Sequence, residues 1–126
     1  MINSTEYVAS LIERARKAQE IAEGFDQERV DHLTKAIVWN IVKADNADKI
    51  SKLAVEETQY GNYDSKYAKL MNKLKGAIRD MEGKKSMGVI ERNEEKGLIK
   101  IAKPVGVIGA VIPVTNPEAT PVLKAI

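Results

Sequence analysis

Val105 to Ile112, VGVIGAVI, is apolar at every position and β-branched except at its two glycines and Ala110. A run this short and this uniform reads as a strand buried on both faces, the kind found in parallel sheets. Pro113 closes it, because proline has no N–H to give to a sheet ladder. Thr115-Asn116-Pro117 follows as a polar turn, and Val122, Leu123 and Ile126 renew an apolar pattern at helical spacing. Strand, polar turn and helix make the first half of a βαβ unit, and the turn lies at the end of the strand where open α/β sheets bind ligands. No other segment can supply a parallel partner, and a buried strand left with open edges is an aggregation hazard. Ile126 falls inside the helical pattern with no stop signal after it. The expectation is therefore an N-terminal fragment, or the ordered part, of a longer chain.

Upstream the period is helical. Asn3 to Glu23 places Val8, Leu11, Ile12, Ala15, Ala18 and Ala22 along one face, with Asn3 and Glu6 as a cap pair and Gly24 as the stop. Asp26 caps a second helix to about Ala44, with Val30, Leu33, Ile37, Ile41 and Trp39 or Val38 on its apolar side. Asn46 or Asp45 starts a third, carrying Ile50, Leu53, Ala54 and Val55 and ending near Gly61. The fourth, about Asp64 to Met81, has the cleanest stripe: Tyr67, Leu70, Met71, Leu74, Ile78 and Met81. Gly76 within it costs roughly 1 kcal/mol against alanine. The period then changes to that of a hairpin. Ser86 to Arg92 and Leu98 to Lys103 flank a polar turn, and Ile99 and Ile101 alternate with Lys100 and Ala102 as in a half-buried strand.

Composition narrows the classes. The 126 residues suit one modest domain, and 20 basic against 18 acidic residues, interspersed, give a solvated surface rather than a nucleic-acid or anionic-membrane footprint. There is no cysteine, which excludes disulfides and cysteine-based metal sites, and no metal site is expected. Met1 to Ser10 has neither the basic start nor the apolar core of a signal peptide, and no apolar run approaches the roughly 20 residues that span a bilayer. A cytoplasmic location is the expectation.

The chain resembles the CoA-acylating branch of the NAD(P)-dependent aldehyde dehydrogenases. The residues that carry the resemblance are Thr115-Asn116-Pro117, three residues after Ile112, together with Leu11 to Gln19, Gln27 to Asp31 and Val55 to Thr58, in the order found in acylating acetaldehyde, succinate-semialdehyde and sulfoacetaldehyde dehydrogenases. The resemblance covers essentially the whole chain, but only about the first quarter of such an enzyme. It implies an α/β fold: N-terminal helices, a β-hairpin, and the first strand and helix of a Rossmann-like cofactor domain, incomplete here. It divides the chain into a helical part at 1–84, an oligomerisation hairpin at 85–103 and the start of the cofactor-binding core at 104–126. It implies NAD or NADP as cofactor, CoA and a small aldehyde as substrates, and a homo-oligomer joined through the hairpin, with neither nucleic acid nor membrane as partner. It implies a cysteine thioester mechanism, for which this cysteine-free chain has no nucleophile and so should be inactive alone.

The resemblance assigns Asn116 as the donor to the oxyanion, a role a positioned side-chain amide can fill in acyl chemistry. The alternative for Asn116 is a helix cap, since asparagine before proline at the first helical position is a common arrangement. Pro121 would then fall one turn inside that helix, where it cannot donate; Thr120 as cap with Pro121 at the first position is better behaved and leaves Asn116 in the loop. Ile112, Pro113, Val114 and Thr115 are assigned to the ribose and nicotinamide side of the cofactor. Gly106 and Gly109 lack the spacing of the phosphate-binding glycine pattern. His32 stands without a partner cluster, Lys84-Lys85 read as a solvated helix end, and Trp39 and the methionines read as core. Two rivals remain. A non-catalytic four-helix interaction module has no use for Val105 to Ile112, and a non-acylating aldehyde dehydrogenase more often carries a tryptophan at the place of Thr115.

Overall fold

The computed structural model describes residues 3–126. Seven elements follow one another: α1 Ser4–Ala22, α2 Gln27–Val42, α3 Ala44–Thr58, α4 Tyr63–Met81, β1 Gly88–Asn93, β2 Leu98–Ala102 and α5 Thr120–Ala125. The described residues are mostly helical, with one two-stranded antiparallel sheet. They form two compact units, 3–30 with Lys85–Gly109, and Asp31–Lys84 with Ala110–Ile126.

In the first unit, the Asn3 side chain accepts from Thr5 N at 3.1 Å and starts α1, while Asp26 Oδ1 accepts from Arg29 N at 2.8 Å and starts α2. Both caps use the polar side chains the sequence offers. Gln27 ties the approach to the hairpin: its Oε1 accepts from Ser86 N at 2.7 Å and Met87 N at 3.0 Å. In the hairpin, Val89 faces Ile101 but Glu91 faces Lys100, so Ile90 is the extra residue of a bulge. The expected half-burial of this strand is not what forms. Leu98, Ile99 and Ile101 are 61%, 53% and 52% exposed, because among the described residues no helix packs extensively on the sheet. α1 buries no residue either. Its Val8, Leu11, Ile12 and Ala15 line an open groove with Val107 and Ile108.

The second unit holds the core. Leu70 and Leu74 of α4 are fully buried against Val38 and Val42 of α2, Ala47 of α3, and Ala119 and Val122 at the start of α5. Burying side chains of this size stabilises by about 1.5–3 kcal/mol each. Asn62 caps α4 by accepting from Ser65 N at 2.9 Å, and Gly83 ends it with φ +73°. That positive φ is the conformation glycine adopts at no steric cost. α4 continues through Gly76 unbroken. α3 begins at Ala44, a residue or two before the expected Asp45 or Asn46, with Lys43 as a cap that makes no side-chain bond. Tyr63 of α4 donates to Asp48 of α3 at 3.0 Å and Lys52 donates to the same carboxylate at 2.9 Å. The Lys52 bond, then the Tyr63 bond, holds Asp48 below the usual carboxylate range, and Asp48 in turn pushes the Tyr63 phenol up.

Further expectations need correction. Val105 to Ile112 forms no strand and is not buried: Val105 and Val111 are 87% and 96% exposed, and no residue of the run joins a ladder. A parallel strand exists only beside another strand, and the two strands among the described residues pair with each other. Trp39, read as core, is 63% exposed; the turn of α2 instead buries Val38. Met81 lies at the surface as well, as the last residue of α4.

Candidate functional site: the Asn116 loop

Within the second unit, residues 113–119 form the turn that leads into α5. Asn116 N donates to Pro113 O at 3.2 Å, and Thr120 N donates to Asn116 O at 3.2 Å. Helix α5 starts at Thr120, with Pro121 in its first turn where a missing N–H costs nothing. The cap position is Ala119, one residue before the expected Thr120, and it makes no side-chain bond.

Asn116 does not cap this helix. Its Oδ1 accepts from Lys69 Nζ at 2.6 Å, and its Nδ2 donates to Thr115 Oγ1 at 3.3 Å. An ammonium can only donate, so Lys69 must meet the carbonyl oxygen of the amide. The NH2 group is thereby the donor end, with one hydrogen on Thr115 Oγ1 and a second beyond that bond, on a half-buried residue.

Below the loop lies a cluster of charges. Lys66 Nζ donates to Thr115 O at 2.9 Å and pairs with Glu118 Oε2 at 3.4 Å. Lys69 Nζ donates to the same carbonyl at 3.2 Å and stands 3.0 Å from Glu118 Oε1. Oε1 gains Coulomb attraction from Lys69 and makes no hydrogen bond. The side chains of Lys66 and Glu118 are 4% and 0% exposed, and that of Lys69 30%. A buried charge left alone is costly, so the two lysines, the glutamate and the Thr115 carbonyl hold one another in place. The Lys69 side of the cluster opens on a cleft of about 140 Å³ lined by Tyr60, Gly61, Ser65, Lys66, Lys69 and Thr115.

The structure brings Thr115 and Asn116 onto this cluster. Ile112, Pro113 and Val114 precede them on the surface, Ile112 half-buried and Val114 59% exposed. His32 is exposed and takes no part. Lys66, Lys69 and Glu118 were missed by the reading of the sequence. A signal existed: Lys66, Leu70 and Leu74 fall at four-residue steps on the apolar stripe of α4, so a lysine stood where a core residue was due. Its acidic partner is 52 residues away, a distance that periodicity does not bridge.

No protein-family model matches the chain. The acylating sulfoacetaldehyde dehydrogenase of Bilophila wadsworthia is 50% identical over 113 residues, 90% of this chain and 24% of that protein. The succinate-semialdehyde dehydrogenase (acetylating) of Clostridium kluyveri is 42% identical over 118 residues, 94% of this chain and 26% of that protein. A sulfoacetaldehyde dehydrogenase of Acholeplasma sp is 41% identical over 119 residues, 94% of this chain and 25% of that protein. The chain is thus similar, over nearly its whole length, to the N-terminal part of acylating aldehyde dehydrogenases, and it spans about a quarter of the length of these curated relatives.

Proposed function

We propose that this chain is the N-terminal part of an NAD(P)-dependent, CoA-acylating aldehyde dehydrogenase, located in the cytoplasm, with Asn116 as its oxyanion donor. The observation that carries the reading is the orientation of the Asn116 amide, Oδ1 on Lys69 and NH2 on the side of the Thr115 hydroxyl, in a chain whose relatives are named as acylating dehydrogenases. In the proposed reaction a cysteine outside this sequence adds to the aldehyde carbonyl. Negative charge gathers on the carbonyl oxygen, and the Asn116 NH2 donates to it. Hydride leaves the former carbonyl carbon as the oxyanion collapses to a thioester, and the CoA thiol then displaces the cysteine to give acyl-CoA. The nicotinamide, when bound, supplies the hydride acceptor. This chain fits only one edge of such a cofactor: Ile112 and Val114 offer apolar surface to a planar ring, and the loop 112–115 holds no cation for a pyrophosphate. In the complete protein, Val105 to Ile112 is proposed to become the first strand of a Rossmann-like parallel sheet, within the division 1–84, 85–103 and 104–126 given above.

The test is Asn116→Ala in a full-length protein that carries this chain. Loss of an oxyanion donor lowers turnover about 10²- to 10³-fold, whereas loss of a mere cap costs about 1 kcal/mol of stability and little activity. Turnover should fall at least a hundredfold, as that range requires, with the melting temperature nearly unchanged. A variant that turns over normally, whether or not it melts at a lower temperature, would overturn the assignment.

A further inference from the structure

The oxyanion reading requires the Asn116 amide to face one way, and a side-chain amide has two nearly isosteric orientations about its last torsion. One presents an N–H to the developing oxyanion, and the other presents a carbonyl oxygen and repels it. We propose that Lys69 is the positioning residue that selects the productive orientation. The proposal rests on the oxyanion role of Asn116 and adds to it the group that enforces that role.

Three observations carry it. Lys69 Nζ lies 2.6 Å from Asn116 Oδ1, the shortest contact either side chain makes in the cluster, and a charged donor gives a bond about twice as strong as a neutral one. Lys69 is itself held from two other directions, by Thr115 O at 3.2 Å and Glu118 Oε1 at 3.0 Å. Glu118 is fully buried, and Lys66 anchors the same Thr115 carbonyl from below at 2.9 Å. The ammonium therefore stands at a fixed point on a core helix, and the amide of the loop is read against it. Lys66 fixes the backbone of the loop and Lys69 fixes the face of its side chain.

The experiment is a double-mutant cycle in the full-length protein. Lys69→Met keeps the unbranched stem and removes the charge, and Lys66 still neutralises Glu118, so no buried charge is left alone. Turnover should fall at least about tenfold, a share of what a donor is worth, while KM for aldehyde and for coenzyme stays within about threefold. Lys69→Arg, which restores a cationic donor, should recover most of the turnover. In an Asn116→Ala background, Lys69→Met should cause no further fall, because the group it orients is gone. Unchanged turnover in Lys69→Met overturns the proposal, and so does an equal fall in both backgrounds, which would mean that Lys69 acts by another route. If Lys69→Met proves too unstable to assay, Lys69→Gln carries the same comparison, since its amide stops about one bond short of Asn116. An Asn116→Ala protein with normal turnover would be a failure of the oxyanion reading itself, seen without touching Lys69, and the proposal would fall with it.

Discussion

Ser51 on α3 is fully buried, and its hydroxyl has no hydrogen-bond partner. An unmade bond of this kind costs about 1–3 kcal/mol, and alanine is also the better helix former. Ser51→Ala should therefore raise stability by about 1 kcal/mol, read as a higher melting temperature. A clear loss of stability would mean that the hydroxyl is bonded after all. Single residues were also where the sequence was least legible. Asn116 was visible, because its neighbours Thr115 and Pro117 mark a polar turn between two apolar segments. Lys66, Lys69 and Glu118 were not, because a lysine on a helix is usually solvated and only the fold brings it to a carboxylate. Trp39 misled for the opposite reason: bulk and apolarity do not say on which side of a helix stripe a residue falls.

At the scale of elements the four long helices were legible from their 3.6-residue period and their caps, within a residue or two at most ends. The hairpin was legible from its polar turn, but the cover over its apolar side chains was not. An amphipathic pattern reports that a face needs covering and says nothing of what covers it. If the hairpin joins subunits, Ile99→Asp with Ile101→Asp in the full-length protein places charges in a dry contact, which is costly. Light scattering should then show a smaller assembly; an unchanged mass removes the interface. Val105 to Ile112 is the same case more acutely. Its composition specifies a strand, and a strand is made by its neighbours. Amide hydrogens of this run should exchange fast in the isolated chain, where none is in a ladder, and slowly in the full-length protein. Equally fast exchange in both would show that the run is not a sheet strand.

The whole molecule has no cysteine and spans about a quarter of its curated relatives, so the chemistry proposed for it must be measured on a longer protein. Among the described residues, no helix is long and apolar enough to cross a membrane. The small charge excess, 20 basic against 18 acidic residues, gives the chain no strong global field. What separates the acylating reading from its rivals is the fate of the thioester: CoA takes the acyl group, or water does, or no thioester forms. The decisive measurement is product analysis by mass spectrometry after a full-length protein carrying this chain is incubated with sulfoacetaldehyde or succinate semialdehyde, NAD⁺ or NADP⁺, and CoA. Acyl-CoA formed in step with reduced nicotinamide is the predicted result; free acid formed at the same rate with or without CoA, or no reduced nicotinamide at all, would contradict it.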